Sequence, residues 1–418
     1  MYAILLLELF GKLEYKIISI KHKVGKMVKV RKFFRLSKEA KIYMLSSLST
    51  SIAFRMLDTV IQPYLGIHLG FTISQISLIF LVSTIVQGIL TLSLGILADF
   101  FNVFNLLIYS FIATDIGILF LILSHNFLIV LAAVILAYLG FNVRVPLMRV
   151  VIGKRMSKEE LSTYFTITPL FSIVSPLISG FIAQESYTID FVVAFIFIII
   201  VIPILFIIKS IVPLTEEKPI TTTSHIPFKE YSKLMREDRS GLILPLLLAV
   251  NRFIFGTSFL YIPLYFTEII KGSLLELGIM LSTETIAISL ASSLSKFISD
   301  RLGDVATLAM TRILAAITYA LLYFIKSPVI FILINWVGTL FIAMDNVPEV
   351  SVISKTKTAN LSMSLIDSVS TLLSISSPII ALYIWVNISP EATFLLSLLV
   401  IIPSIIMFNY KNYRNLQK

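Results

Sequence analysis

The sequence predicts an all-α integral membrane protein. Hydrophobic residues make up 57% of the 418 residues and charged residues 14%, whereas soluble domains contain roughly 45–50% and about 25%. The hydrophobic excess lies in runs of about twenty residues or more, the length that a helix needs to cross a bilayer. Helices satisfy their own backbone hydrogen bonds in lipid, so the fold class follows from these runs.

Twelve apolar segments qualify as transmembrane helices when hydropathy is averaged over windows of about 19 residues. We number them as spans 1 to 12 in chain order. Their predicted limits are 43–68, 74–98, 104–124, 126–151, 161–184, 188–208, 242–267, 274–298, 305–325, 328–353, 360–386 and 392–409.

The net charge of +10 is distributed as a topology signal rather than as a nucleic-acid-binding patch. Of the 34 Lys and Arg residues, 28 lie in the termini and the even-numbered loops between spans, and two, Lys271 and Lys326, lie in the odd-numbered loops. Positive residues concentrate on the cytoplasmic side of a membrane. Both termini are therefore predicted to be cytoplasmic in a multi-pass protein of the cell membrane, with anionic lipid as the partner of the basic residues.

The same pattern divides the chain into five regions. They are a basic N-terminal segment (1–42), a six-helix bundle (43–208), a cytoplasmic linker (209–241), a second six-helix bundle (242–410) and a basic tail (411–418). In the first region the basic residues follow the apolar stretch, the reverse of a signal peptide, so no cleavage is expected. Either this segment is an interfacial amphipathic helix, or the true start of the chain is Met27. The absence of cysteine excludes disulfides and thiol metal sites.

An internal repeat relates the two bundles. Five anchors recur at offsets of 200 to 202 residues: Pro63 and Pro263, Gln75 and Glu276, Asp99 and Asp300, Pro146 and Pro348, and Ser175-Pro176 and Ser377-Pro378. Each anchor falls at the same place in its own half. Because each half has an even number of spans, the halves are predicted to be related by a pseudo-two-fold axis along the membrane normal.

Two loops carry halves of one motif. Gly95-Ile96-Leu97-Ala98-Asp99 ends span 2, and Asp300-Arg301-Leu302-Gly303 ends span 8. Together they resemble the G-x-L-A-D-R-x-G-R-K signature of the major facilitator superfamily, although Phe100, Phe101 and Asn102 replace the usual residues in the first copy. The resemblance extends over all twelve spans and implies a secondary transporter that works by alternating access. It also implies that Asp99 and Asp300 act as cytoplasmic gates against the starts of spans 11 and 5.

In that family spans 1, 4, 7 and 10 line the central cavity, so their polar residues are candidates for the substrate and proton pathway. An ionisable residue inside a span costs at least about 2.5–3.5 kcal/mol and should face protein or water. Span 1 places Arg55, Asp58 and Gln62 on one helical face, where the first two are close enough to neutralise each other. The other candidates are Asn142 and Arg144 in span 4, Asn251, Arg252, Tyr261 and Tyr265 in span 7, and Asn335, Asp345 and Asn346 in span 10.

Buried carboxylates are the candidate proton carriers, with Asp58 first and Glu284 of span 8 second. The R-x-x-Q-G motif of many proton-driven exporters is missing, since Leu136 and Leu139 occupy its Arg and Gln positions. Span 5 reads Ser175-Pro176-Leu177-Ile178-Ser179-Gly180, which is similar to the antiporter signature G-P-x-x-G-G and favours export over import. We expect Ser175, Pro176, Gly180, Asp367, Ser377 and Pro378 to serve helix packing in spans 5 and 11.

Two other function classes compete with a transporter. A membrane enzyme is not expected, because all four histidines lie in tails, loops or span edges and no HExxH, GxSxG or Walker motif occurs. A transport-inactive sensor or scaffold with the same fold stays open. The sequence thus predicts a monomeric carrier of a small solute, coupled to protons or driven by the solute gradient itself, with no cofactor, metal or nucleic acid.

Overall fold

The structure is a computed structural model that describes the backbone of residues 38–100, 103–155, 158–211, 240–354, 366 and 369–409. It describes side chains at 41–90, 104–144, 172–207, 243–291, 294–353, 366 and 369–409. In these ranges the ordered elements are helices, as the all-α prediction requires.

The helices follow the predicted spans in order. They are α1 (Lys38–Pro63), α2 (Ile73–Phe100), α3 (Val103–Leu123), α4 (Phe127–Arg155), α5 (Lys158–Glu185), α6 (Tyr187–Ile211), α7a (Ser240–Phe259), α7b (Ile262–Glu268), α8 (Leu274–Leu302), α9 (Asp304–Leu321), α10a (Pro328–Ala343), α10b (Asn346–Ser354), α11 (Ser377–Asn387) and α12 (Ile401–Asn409). A single π-turn, Tyr64–His68, extends α1, and a 3₁₀-helix, Glu391–Val400, precedes α12.

Ten helical segments in the described residues are long and apolar enough to cross a membrane. Helices also form over the more polar spans 1 and 5, as Lys38–Pro63 and Lys158–Glu185. The all-helical membrane fold is therefore confirmed, while the total of twelve spans stays a prediction.

The internal repeat reappears as two helix starts with the same hydrogen bonds. At the start of α2, the Gln75 side chain accepts from the Thr72 backbone N–H at 2.9 Å, and the Thr72 hydroxyl accepts from the Gln75 N–H at 3.3 Å. At the start of α8, Glu276 and Ser273 form the same reciprocal pair at 2.8 and 3.2 Å. Both are capping boxes, and each satisfies two backbone donors that the helix leaves free.

The seventh helix is interrupted between α7a and α7b. Pro263 lies in the first turn of α7b and has no backbone N–H to continue the helical ladder. The carbonyl of Leu260, within the interruption, accepts a hydrogen bond from Gln62 Nε2 of α1 at 2.7 Å. In a bilayer a carbonyl released from a helix needs such a partner.

The tenth helix is interrupted in the same way between α10a and α10b. Pro348 lacks the N–H that would bond the carbonyl of Met344 four residues earlier. The Ser295 hydroxyl of α8 donates to that carbonyl at 2.6 Å. Both interruptions are thus stabilised by side chains of neighbouring helices.

The two halves of the chain meet along α5 and α8 and along α2 and α11. Several of their contacts lie near the loops 1, 3, 5, 7, 9 and 11, which we call the odd-loop end. There Ser77 Oγ of α2 lies 2.5 Å from the Tyr261 hydroxyl, and Gln62 bonds Leu260. The halves are therefore in contact at this end of the bundle.

Candidate functional site

In the described part of the helix bundle, Asp58 of α1 lines two cavities. The first, which we call the interface cavity, has a volume of about 340 Å³ and lies between α1 and the C-terminal half. It is lined by Asp58, Gln62, Phe259, Leu260, Ile262, Pro263, Leu281, Glu284, Tyr319, Asn335, Thr339 and Ile342. The second, which we call the N-half cavity, has a volume of about 490 Å³ and is lined by Ser51, Phe54, Arg55, Asp58, Gln87, Tyr138, Phe141, Asn142 and Ser172.

Asp58 is oriented by a tyrosine of α4. The Tyr138 hydroxyl donates to Asp58 Oδ1 at 3.2 Å. Next to this pair, the rings of Phe54 and Phe141 lie 4.6 Å apart and form an aromatic part of the wall. Asn142 follows Tyr138 by one helical turn and lines the same cavity. The N-half cavity therefore combines a carboxylate, an amide and aromatic surface.

Glu284 has a comparable environment in the C-terminal half. Asn335 Nδ2 of α10a donates to Glu284 Oε1 at 2.6 Å. Beside them, the hydroxyls of Tyr319 and Thr339 are hydrogen-bonded at 2.8 Å. The interface cavity therefore offers amide and hydroxyl groups around its carboxylate, the kind of polar group that fixes the orientation of a small ligand.

The charged groups of the two cavities come from both halves. Glu284 of α8 and Asp58 of α1 line the interface cavity, and Arg55 of α1 lines the N-half cavity together with Asp58. Arg252, Arg312 and Lys326 each form an ion pair with a carboxylate, whereas the described side chains of Arg55 and Asp58 do not pair with each other as the sequence suggested. With all three groups ionised, the cavities carry two negative charges and one positive charge.

Several predicted pathway residues lie outside both cavities. Arg144 is buried, with Nη2 3.3 Å from the Ser51 hydroxyl. Asn251 is fully buried, Asn346 is exposed, and Tyr265 packs in an aromatic cluster with Phe394 at 4.9 Å between ring centroids. Their part in the pathway stays a prediction, whereas Asp58, Gln62, Asn142, Glu284 and Asn335 are brought to the cavities, as is Arg55.

Asp345 belongs to a buried charge network in the C-terminal half. Arg312 of α9 donates through Nε to Asp345 at 2.5 Å and through Nη2 to Glu349 of α10b at 2.8 Å. The Thr311 hydroxyl donates to the other oxygen of Asp345 at 2.5 Å. Arg252 of α7a, which is 42% exposed, bonds the second oxygen of Glu349 at 2.5 Å. The network thus joins the seventh, ninth and tenth helices and neutralises both carboxylates that the sequence places in span 10.

The second copy of the loop motif is partly described. Asp300 is exposed, and the Arg301 guanidinium lies 4.0 Å from the Phe297 ring centroid. Gly303 separates α8 from α9 at φ +84°, a left-handed conformation that favours glycine. Asp367, the side chain of Asp99 and the side chains at the start of α5, which Asp300 is expected to face, lie outside the described residues, and for Gly95 only the helical backbone is described.

The described packing residues of spans 5 and 11 contact neighbouring helices. Thr257 donates to Ser377 at 2.8 Å, and the Tyr261 hydroxyl lies 3.4 Å from the carbonyl of Pro378. Ser175 and Pro176 of α5 are buried. A Cβ atom added to Gly180 would overlap the carbonyl of Leu274, and one added to Gly278 would overlap that of Pro176. The crossing of α5 and α8 therefore requires both glycines.

Gly180→Ala is expected to open the odd-loop end. The added methyl group overpacks the contact at a cost of about 1–3 kcal/mol, and each 1.4 kcal/mol lowers the ratio of closed to open molecules roughly tenfold. Because the chain has no cysteine, spin labels can be placed at Glu185→Cys and Asn387→Cys, and their separation is expected to increase. Gly256→Ala is the matched control, since no atom lies within 4 Å of its added Cβ. An unchanged separation in Gly180→Ala contradicts the prediction.

Tyr138 and Tyr319 are cavity residues that the sequence did not identify. Tyr138 lies one turn before Asn142 on a span already assigned to the cavity, so helical spacing was a usable signal. Tyr319 is on α9, which the resemblance places outside the cavity, and nothing in the sequence indicated its contact with Thr339.

The sequence and the fold were compared with those of known proteins. The family model of the Major Facilitator Superfamily matches residues 43–355. The fold is similar to the crystal structure of the nucleoside transporter NupG, with a TM-score of 0.66 and 13% identity over 90% of this chain and 100% of that one. A mutant of NupG gives the same TM-score at 14% identity, with 89% of this chain and 100% of that one covered. No curated protein matches the sequence. At these identities the structural likeness shows the fold alone.

Proposed function

The chain belongs to the Major Facilitator Superfamily, and from this premise we propose that it moves a neutral or cationic polar solute through the two cavities under the drive of a proton gradient. Membership of this family already makes the chain a multi-pass membrane transporter for a small solute, and not an enzyme. What is proposed is the charge class of the solute, the coupling ion and the residues that carry it.

The charge balance of the cavities supports the choice of solute. Arg55 is the only basic side chain that lines either cavity in the described part of the chain. Arg144 and Arg252 line neither of them, and Arg252 is bonded to Glu349. Two carboxylates and one guanidinium disfavour an organic anion, because like charges repel strongly where little water screens them.

The remaining lining supports a solute with hydroxyl groups and a planar ring. Amides and hydroxyls come from Gln62, Asn142, Asn335 and Thr339, and aromatic surface comes from Phe54, Phe141, Phe259, Tyr138 and Tyr319. A nucleoside combines both features, and NupG is by name a nucleoside transporter. Nucleosides are therefore the first solutes to test, followed by sugars and cationic aromatic compounds.

The position of the two carboxylates supports proton coupling. Asp58 of the N-terminal half and Glu284 of the C-terminal half line the same interface cavity. When the halves separate, the distance between these charges changes, and so does the free energy of protonating either one. Rocking of the bundles 43–208 and 242–410 can thereby be coupled to the binding and release of protons.

The proposal also includes cytoplasmic termini, a location in the cell membrane, a monomeric state and transport in the export direction.

The decisive experiment is transport by purified protein in proteoliposomes, with and without an imposed proton gradient. Candidate solutes are first chosen by thermal stabilisation, because a ligand that binds only the folded state raises its apparent stability. The proposal expects a nucleoside or cationic solute to stabilise the protein and to accumulate only with the gradient. Stabilisation by organic anions instead, or accumulation that ignores the gradient, contradicts it. Complete inactivity with every stabilising solute favours the transport-inactive sensor.

A further inference from the structure

Asp190 lies at the start of α6, outside both cavities, and its side chain is fully buried. Its Oδ2 atom lies 3.1 Å from the hydroxyl oxygen of Ser179 in α5. The same hydroxyl oxygen lies 3.0 Å from the backbone carbonyl of Met56 in α1. Three helices of the N-terminal half therefore meet at one serine hydroxyl.

The hydrogen atoms available at this point do not suffice if Asp190 is ionised. A serine hydroxyl carries one hydrogen, and both a carboxylate and a backbone carbonyl can only accept. If Ser179 donates to an ionised Asp190, its oxygen faces the Met56 carbonyl at 3.0 Å with no hydrogen between them. If Asp190 carries a proton, it donates to Ser179, and Ser179 donates to Met56. Only the protonated form gives every short contact a hydrogen.

The surroundings of Asp190 also lack a counter-charge. Its Oδ1 atom is buried and has no hydrogen-bond partner among the described residues. No charged side chain in the described parts of α1, α3 and α5 interacts with it. At the same end of the bundle the rings of Tyr64, Tyr187, His68 and His125 lie close to one another, and the Tyr64 hydroxyl donates to the carbonyl of Leu121. An ionised carboxylate buried without a partner is strongly unfavourable.

The position of Asp190 at the start of α6 favours the ionised carboxylate, but this effect is weaker than the cost of burying the charge. The free N–H groups of a helix N-terminus favour a negative charge. A single fully buried carboxylate loses far more from desolvation than this dipole returns. The neutral acid is therefore the stable form in this conformation.

We propose that Asp190 is a proton-binding site separate from the central cavities, with the proton held in a chain from Asp190 to Ser179 to Met56. Met56 immediately follows Arg55 in α1 and lies two residues before Asp58, so the chain connects the proton on α6 to the helix that lines both cavities. Loss of the proton removes the hydrogen bond that ties α1 to α5. This inference does not depend on the identity of the solute or on the proposed coupling through Asp58 and Glu284.

Infrared spectroscopy of the purified protein tests the proposal directly. At neutral pH the wild type is expected to show a carboxylic acid C=O stretching band that is missing from Asp190→Asn. Asp300→Asn, which removes an exposed carboxylate, is expected to leave that region unchanged. Identical carboxylic acid regions in wild type and Asp190→Asn overturn the proposal, because they show that Asp190 is ionised.

A second variant keeps the test valid if Asp190→Asn does not fold. In Ser179→Ala the acid loses its hydrogen-bond acceptor, so the Asp190 band is expected to move to higher wavenumber. Ser179→Thr keeps a hydroxyl and is expected to move the band back toward the wild-type position. A band that stays in place in Ser179→Ala contradicts the proposed chain.

Discussion

Replacement of Arg312 with methionine is expected to lower the free energy of unfolding by about 3–5 kcal/mol, the cost of breaking a buried ion pair by removing one partner. Arg312 is 3% exposed and bonds both Asp345 and Glu349. Without it, Asp345 keeps only the Thr311 hydroxyl among these bonds, and its charge is left buried and uncompensated. Unfolding in detergent micelles, followed by helical circular dichroism during heating or denaturant titration, measures the loss.

Two comparison variants make this prediction specific to the network. Arg301→Met removes an exposed arginine that contacts only the Phe297 ring in the described residues, and it is expected to cost about 0.5–1 kcal/mol. Adding Asp345→Asn to Arg312→Met removes the stranded charge, so the double variant is expected to regain part of the lost stability. If Arg312→Met costs no more than Arg301→Met, the buried network does not stabilise the protein as its geometry implies.

Glu284→Gln is expected to reduce proton-driven accumulation of the solute to a ratio of about one, because the coupling free energy between proton and solute disappears. Glutamine keeps the size of the side chain and its hydrogen bond with Asn335, but its amide group cannot carry a proton between the two sides of the membrane. Exchange of labelled for unlabelled solute needs no proton gradient, so it is expected to continue. Proteoliposome uptake and exchange assays measure the two quantities on the same preparation.

The matched control lies on the same helix. Glu276→Gln changes the capping glutamate of α8, which lies outside both cavities, and accumulation is expected to persist. Asp58→Asn is expected to behave like Glu284→Gln, because the amide oxygen of asparagine can still accept from the Tyr138 hydroxyl while the proton-binding group is lost. Gradient-driven accumulation that survives in both carboxylate variants contradicts the assignment of the coupling residues.

The helices were predictable because the bilayer imposes a length and a composition on each one. Span 8 was predicted from residue 274, where α8 begins, and the anchor pair Gln75 and Glu276 corresponds to two capping boxes. The interruptions of the seventh and tenth helices were not predicted, although Pro263 and Pro348 were recognised as repeat anchors. Apolar residues continue through both interruptions, so hydropathy alone reads each pair of helices as one span.

The candidate site was predictable only in part, for a related physical reason. Lipid does not tolerate Asp58 or Glu284, so these residues can be found without knowing their surroundings. Their partners depend on how helices pack. The sequence suggested Arg55 as the partner of Asp58, whereas the structure pairs Asp58 with Tyr138 and places Glu284 across from both charges. Such pairs join helices distant in the chain, and spacing within one helix does not encode them.

The hydrogen bond between Gln62 and the Leu260 carbonyl implies that water must enter the odd-loop end when the two halves separate. The bond joins the two halves, and Leu260 lies in the interruption of the seventh helix. When the halves part, both the amide and the carbonyl lose their partner in a low-dielectric interior, where an unsatisfied polar group is costly. Hydration of this one point must therefore accompany the first separation of the halves, and the entry of a few water molecules becomes a step of the conformational cycle.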